Sequence, residues 1–515
     1  MKKVLITAAV MALSLGAAAQ VKVNVHESAK DQPVIPKEIY GQFAEHLGRC
    51  IYDGLWVGED SDIPNINGYR KDIVEALKEL KVPVLRWPGG CFADEYHWMD
   101  GIGPKDKRAK IVNSNWGGTI EDNSFGTHEF LNLCELIGTE PYISGNVGSG
   151  SVEELAKWVE YMTAENGSMA ELRKSNGREK PWKVKYLGVG NESWGCGGNM
   201  DPDYYSDLYK RYAIYCREYD GNRLYKIASG ANGGDYNWTK VLMDDIRQDM
   251  SGLSFHFYSV IEWNNKLNAT NFPEDEYYNT IAKACEVEQL IRTHSSVMDI
   301  YDPHKRVGLL LDEWGTWYNV EPGTNPGHLF QQNTMRDAIV AGLSLNIFHD
   351  YVDRLKMANI AQIVNVLQSM ILTKGKDMVL TPTYHVFRMY NVHQDATYLP
   401  TDCSSAVCTA PSGQNYPDLS VTASKSDAVH ISLVNASLSE DKEIEISFDS
   451  LKPQSVSAEI LRGAGKDGLQ SVNAYNDFGK NARNVEPVAL KDVKIDGGKL
   501  RLTVPTASVI VLSVK

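Results

Sequence analysis

Eight segments of the chain are almost continuously apolar, and each stops at polar residues: 40–46, 82–88, 141–146, 184–192, 225–232, 253–258, 307–313 and 358–366. Amphipathic stretches separate them. Ile73, Val74, Leu77 and Leu80 fall on one helical face ahead of Pro83, and Met335, Ala338, Ile339, Gly342 and Leu343 fall on another. Apolar strands alternating with such helices predict a parallel sheet covered on both faces. Eight units of this kind predict a closed (β/α)8 barrel over residues 39–385, although a doubly wound open sheet fits the same pattern.

From residue 386 to 515 the texture changes. Short alternating runs at 419–422, 429–434, 443–448, 457–461, 500–504 and 509–514 are separated by clusters of Gly, Asn, Asp and Ser. No helical pattern interrupts them, so this part is predicted to be an all-β, jelly-roll-like sandwich. It is read as a cap on the barrel rather than a dedicated sugar-binding module. Near the start, residues 21–25 alternate apolar and polar and have no place in the barrel. The segment 20–38 is therefore predicted to add its strand to the C-terminal sandwich.

Residues 1–19 read as a signal peptide, with Lys2 and Lys3 ahead of an apolar run and Ala17-Ala18-Ala19 before Gln20, which leads to an expectation of export to the periplasm or medium. No other stretch approaches the roughly 20 apolar residues that cross a bilayer, so no membrane association is expected. A net charge of −14 disfavours a nucleic-acid partner, which clustered Lys and Arg would serve. The 26 Tyr and 11 Trp residues lean toward a sugar-stacking cleft, but also suit ordinary cores. Among the eight cysteines, only Cys403 and Cys408 are close enough in sequence to suggest a local bridge, and Cys134 and Cys216, on predicted helices, read as buried thiols. There is no Cys-x-x-Cys and no His-Glu-x-x-His, and His46, His97, His256 and His349 are not in ligand spacing, so neither a metal nor another cofactor is expected. The run Gly188-Val-Gly-Asn-Glu-Ser lacks the third glycine of a dinucleotide fingerprint.

Barrel active sites are built at the carboxyl ends of the strands. The segmentation therefore nominates Glu45, His46, Arg86, Asn146, Asn191, Glu192, Asn232, His256, Tyr258, Glu313, Gln362 and Asn365. Two of these are carboxylates in similar settings, Gly190-Asn-Glu-Ser-Trp194 and Leu311-Asp-Glu-Trp-Gly315. They lie three βα units apart, on the fourth and seventh strands. A lone strand-end glutamate reads most simply as a solvated cap, but a matched pair at a barrel mouth suits glycoside hydrolysis. In that chemistry one carboxylate attacks the anomeric carbon while the other protonates the leaving oxygen, kept protonated by burial and a negative neighbour. Asn191 is placed to bond a sugar 2-hydroxyl, Tyr258 to orient the nucleophile, and Arg86 to lower its pKa.

The segments Phe43-Ala-Glu-His-Leu-Gly-Arg49, Leu85-Arg-Trp-Pro-Gly-Gly-Cys-Phe-Ala93, Tyr96-His-Trp-Met-Asp-Gly-Ile-Gly-Pro104, Val189-Gly-Asn-Glu-Ser-Trp-Gly195, Phe255-His-Phe-Tyr258, Leu311-Asp-Glu-Trp-Gly315 and Ala358-Asn-Ile-Ala-Gln-Ile-Val-Asn-Val366 resemble the α-L-arabinofuranosidases of glycoside hydrolase family 51. The resemblance covers essentially all of the chain after residue 19. It implies an exo-acting, retaining enzyme on arabinofuranose-containing oligo- or polysaccharides, assembled as a homo-oligomer such as a hexamer. It implies Glu192 as acid/base and Glu313 as nucleophile. It further implies that Glu45, Arg86, Cys91, Asn191, Tyr258 and Gln362 contact the furanose or position the nucleophile, and that Trp98, on the loop lining the pocket, belongs to the substrate-binding set. Some members carry Asn where this chain has Cys91, and a thiol is the weaker hydrogen-bonding group, so a sugar contact there is the least supported of the set. No His or Asp beside Cys91 in sequence marks it as a nucleophile. The competing readings are an endo-β-glycanase of the same barrel clan and a polysaccharide-binding protein without catalysis. Retention of both glutamates with Asn191 and Tyr258 speaks against the second.

Overall fold

A computed structural model describes residues 20–515. Eight parallel strands close into a barrel in sequence order: Gly41–Phe43, Val84–Trp87, Glu140–Gly145, Tyr186–Val189, Tyr225–Asn232, Gly252–Ser259, Gly308–Thr316 and Leu355–Ala361. All eight predicted segments are represented, and the closed barrel replaces the open-sheet alternative. The bounds differ where hydrogen bonding and apolarity part company. The first strand is only three residues long because Lys37–Tyr40 wind into a 3₁₀ turn ahead of it. The seventh runs three residues past Glu313, to Thr316, so Glu313 lies within the ladder rather than at its tip.

Two irregularities aim side chains at the barrel mouth. Between the sixth and seventh strands the pairing slips at Phe255/His256, after which His256 stands opposite Glu313. Between the seventh and eighth it slips between Leu311 and Trp314. Such bulges bend a strand and re-aim its residues, and they recur beside active sites.

The C-terminal strands form two sheets. One runs in the order Thr397–Leu399, Leu419–Lys425, Val429–Asn435, Ser508–Val514, Val456–Arg462, Val488–Ala489. The other runs Thr401–Cys403, Val21–Val25, Lys442–Phe448, Lys499–Val504, Lys494–Asp496. The N-terminal strand thus sits inside the second sheet, parallel to Lys442–Phe448 with Val23 beside Ile446, and antiparallel to Thr401–Cys403. Val23, Val25, Ile431, Leu433, Ile444, Ile446, Leu500, Leu502, Ile510 and Leu512 fill the space between the sheets.

The helix Met335–Asp350 joins sandwich to barrel. It is buried nearly all round, as an almost uniformly apolar helix must be. Gly342 is needed there, since a Cβ would come within 2.9 Å of the Val434 side chain of the sandwich. The bridge expected between Cys403 and Cys408 does not form. Cys403 is on the sheet that holds the N-terminal strand, whereas Cys408 belongs to a separate hairpin, Val407–Thr409 with Asn415–Pro417, so proximity in sequence is undone by divergent pairing. Among the described residues, no helix is long and apolar enough to cross a membrane. The expected signal peptide lies outside the described residues.

Candidate active site

Glu313 is set by its strand and held on both oxygens. Arg86, from the second strand, donates from Nη1 to Oε1 at 2.8 Å, and Tyr258, from the sixth, donates its hydroxyl to Oε2 at 2.7 Å. Burial alone would push this carboxyl up. The neighbouring His256 and Arg86, with the hydrogen bonds from Arg86 and Tyr258, outweigh burial and hold it below the ordinary glutamate range. Burial likewise opposes the charge of Arg86, but Glu313 and Asp312 beside it more than compensate and keep the guanidinium protonated.

Glu192 follows the fourth strand. An oxygen of Glu192, an oxygen of Glu313 and a ring nitrogen of His256 all lie within 4.8 Å of one another. His256 Nδ1 is 2.9 Å from Glu192 Oε1 and 3.6 Å from Glu313 Oε2. Burial works against a charge on this imidazole, and the two carboxylates overcome it, so its pKa is raised. Glu192 is the more open of the two glutamates, with a side chain 18% exposed against 7% for Glu313. The Glu192, His256 and Glu313 ligand atoms are also close enough together to hold a metal ion, but the hydrogen bonds that they make with each other, Arg86 and Tyr258 account for their arrangement.

Around this pair the other expected residues gather, with two departures. Asn191 accepts from Arg86 Nη2 through Oδ1 at 2.5 Å, and its Nδ2 lies 3.9 Å from Cys196 Sγ, which leaves one amide N–H for another partner. Glu45 takes four hydrogen bonds: Gly90 N, Phe92 N and Trp116 Nε1 on Oε1, and Gln362 Nε2 on Oε2. Its carboxyl is pushed up to about 7, first by burial and then by the charge of Glu313. The Pro-Gly-Gly turn makes this crowding possible, because a Cβ on Gly90 would sit 2.8 Å from Glu313 Oε1.

The first departure is Cys91. Its sulfur is not a free thiol facing a sugar but is bonded to Cys196, with the two Cα atoms 5.5 Å apart. The partner arrives on the turn that follows Glu192, and a sequence separation of 105 hid it. The second is Trp98. It is 2% exposed, donates from Nε1 to Glu154 O and stacks on Trp158, so it packs behind the site instead of lining it. Of the remaining strand-end candidates, Asn232 and His256 line the cavity. Asn146 and Asn365 spend their amides on loop backbone and on Thr373, and His46 sits in an aromatic cluster bonded to Trp87 and Glu121.

The cavity in front of Glu192 measures about 550 Å³ and is lined by Trp194, Trp263 and Trp317 as well as His256 and Tyr258. Trp317 meets Tyr258 edge-on at 5.2 Å and Trp263 at 5.5 Å. Sequence reasoning missed these indoles and Trp116, which come from loops. The one signal for Trp317 was its place four residues after Glu313, directly beyond the end of the seventh strand. A wall of indoles beside paired carboxylates is suited to stacking apolar sugar faces while a glycosidic bond is broken.

Comparison with known proteins gives a consistent result. Residues 76–277 match the family model described as the alpha-L-arabinofuranosidase 1 domain, and residues 312–508 match the alpha-L-arabinofuranosidase C-terminal domain. A protein of Bacteroides ovatus described as an intracellular exo-alpha-L-arabinofuranosidase is 59% identical, over 100% of this chain and 99% of its own length. The crystal structure of the GH51 arabinofuranosidase of Xanthomonas axonopodis pv. citri superposes with a TM-score of 0.93 at 44% identity, covering 96% of this chain and all of that one. An alpha-L-arabinofuranosidase of Thermotoga maritima, solved as an arabinose complex, does so at 0.82 and 29% identity, covering 96% of this chain and 99% of that one. The expectation of export is overturned by the first of these relatives, which aligns with the whole chain and is named as intracellular. Two lysines before a short apolar run record only charge and hydropathy, whereas an address is read by a receptor. The chain is a glycoside hydrolase, and it belongs to the family 51 α-L-arabinofuranosidases.

Proposed function

We propose that the protein releases terminal α-L-arabinofuranosyl residues by double displacement, with Glu313 as nucleophile and Glu192 as acid/base. The observation that carries this is the approach of the two carboxylates to within 4.8 Å of each other at the barrel mouth. That spacing suits direct attack, since inverting enzymes need about 6.5–9.5 Å between carboxyl groups to admit a water. Glu313, held ionised by His256, Arg86 and Tyr258, attacks the anomeric carbon while Glu192 gives its proton to the leaving oxygen. Glu192 then takes a proton from the water that frees the sugar. Asn191 offers the amide N–H that Cys196 Sγ does not take to a sugar hydroxyl. Glu45, whose carboxyl burial and the charge of Glu313 push up, lies beside Glu313 and is held by Gly90, Phe92, Trp116 and Gln362.

The activity is tested by assaying an aryl α-L-arabinofuranoside, an aryl β-xyloside and carboxymethylcellulose side by side, with arabinan and arabinoxylan oligosaccharides to place the natural linkage. Turnover of the arabinofuranosides alone is expected. Cleavage of carboxymethylcellulose alone would replace this reading with an endo-acting one. NMR of the first-formed product should show retained configuration, and inversion would refute double displacement.

Tyr258→Phe tests the support of Glu313 directly. The lost hydrogen bond goes to the charged form of the carboxylate and is of the class that contributes about 1.5–3 kcal/mol. A fall in kcat/KM of roughly 10- to 100-fold is therefore expected. The acidic limb of the pH profile should also move to higher pH, because Tyr258 helps hold the Glu313 pKa down. A profile with an unmoved acidic limb would remove Tyr258 from this role.

A further inference from the structure

The turn that carries Glu192 is held in a conformation the chain would not adopt unaided. Glu192 has φ of 39°, in the left-handed region, where a residue other than Gly or Asn costs on the order of 1–2 kcal/mol and persists only if its surroundings impose it. The surroundings can be named. Gly195 N and Gly197 N both donate to the Glu192 carbonyl, at 2.7 and 3.1 Å. Asn191 N donates to buried Asp94 at 3.0 Å, and Ser193 N donates to Ser229 Oγ at 3.2 Å. The turn is so tight that a Cβ on Gly197 would fall 1.8 Å from the Asn191 carbonyl oxygen.

The covalent fastening is the Cys91–Cys196 bridge. It ties the Gly-Gly-Cys turn after the second strand to the turn after the fourth, passing over the third. Cys196 Sγ lies 3.5 Å from Glu192 Oε2 and 3.9 Å from Asn191 Nδ2. Cys196 is also solvent-exposed. The bridge is the only one among the described residues, and Cys50, Cys134 and Cys216 are buried free thiols.

We infer that Cys91 and Cys196 are positioning residues for Glu192, and that thiol–disulfide exchange at their bridge sets the proton-transfer half of the reaction while leaving the nucleophilic half intact. The inference rests on the assignment of Glu192 as acid/base. Exposure makes the exchange feasible. A thiolate of a dithiol reductant attacks Cys196 Sγ, the S–S bond breaks, and Cys91 leaves as thiolate and takes a proton. The second thiol of the reductant then displaces Cys196 from the mixed disulfide. Two electrons and two protons pass from the dithiol, which becomes a cyclic disulfide, to the protein, which gains two thiols. Glu313 keeps its hydrogen bonds from Arg86 and Tyr258, which stand on the second and sixth strands and are not themselves fastened by the bridge, whereas Glu192 sits on the turn that the bridge holds.

The test compares the full-length enzyme, untreated and reduced with dithiothreitol, on aryl α-L-arabinofuranosides spanning strong to weak leaving groups. Alkylation and mass spectrometry of each sample count the thiols gained. Reduction is expected to lower kcat about 10- to 100-fold on weak leaving groups, the scale of loss when a catalytic group is misplaced by about an ångström, and to leave the rate of the pre-steady-state burst of dinitrophenol within twofold. The Cys91→Ser/Cys196→Ser double variant should reproduce the reduced profile and ignore dithiothreitol. Should that variant fail to fold, the reductant titration on the native chain still decides. A leaving-group dependence of the first, bond-breaking step unchanged on reduction, or an equal loss in that step on every substrate, overturns the inference. Absence of turnover by the untreated enzyme overturns the acid/base assignment and the inference together.

Discussion

Glu313→Ala is expected to lose turnover on every substrate, by roughly 10⁵-fold or more, whatever the leaving group. The reason is that without this carboxylate the oxocarbenium-like transition state loses its stabilising charge and no covalent glycosyl-enzyme forms, so a better leaving group gives little relief. Truncation also strips Arg86 of its carboxylate partner in a buried setting, at a cost of about 3–5 kcal/mol of stability. Glu313→Gln separates the two effects. It keeps the shape and one oxygen for Arg86 or Tyr258, so the protein should melt nearer the parent temperature while remaining inactive. A folded Glu313→Gln enzyme working within tenfold of the parent would eliminate Glu313 as nucleophile.

The second large effect belongs to Glu192→Ala, and it is expected to be graded. On substrates whose leaving oxygen must be protonated, kcat should fall about 10²- to 10⁴-fold, the usual contribution of a positioned general acid. On a dinitrophenyl glycoside the first step should proceed almost unaided. The second step then lacks its base, so a burst of phenol followed by slow turnover is expected. Azide, which attacks without losing a proton, should speed that slow phase. An equal loss across the leaving-group series, with no burst, would show that Glu192 is not the acid.

Much of the barrel was written in the sequence because its units repeat a simple contrast: an apolar run that must be buried on both faces, then polar residues that cannot be. That contrast located Glu45, Arg86, Asn191, Glu192, Tyr258 and Glu313, since each ends or nearly ends such a run. Gln362 was legible in the same way, beyond Ala361 at the end of the eighth strand. What escaped is what loops bring in. Trp116 reaches Glu45 from a hairpin turn fixed by Asn113, and no periodicity marks such a residue. The Cys91–Cys196 pair escaped because proximity in a barrel is set by strand order, whereas sequence spacing favoured Cys403 and Cys408. His256 was nominated as a strand end, but its station between two carboxylates depends on the slip in pairing at Phe255/His256. Trp98 failed for the opposite reason: its motif was recognised, but its large apolar ring was more stably used against Trp158.

The N-terminal strand within the C-terminal sheet imposes an order on biosynthesis. Asn24 and Ser447, hydrogen-bonded neighbours in the finished sheet, are 423 positions apart. At translation rates of about 5–20 residues per second, the first strand waits roughly 20–80 seconds for its partner to leave the ribosome. All eight barrel strands are made within that interval. Until then Val21–Val25 is an unpaired strand whose apolar positions alternate with Lys22 and Asn24, the kind of polar interruption that disfavours edge-to-edge pairing with a neighbouring chain. Thr401–Cys403 and Lys442–Phe448 therefore flank Val21–Val25 only after every barrel strand has been made.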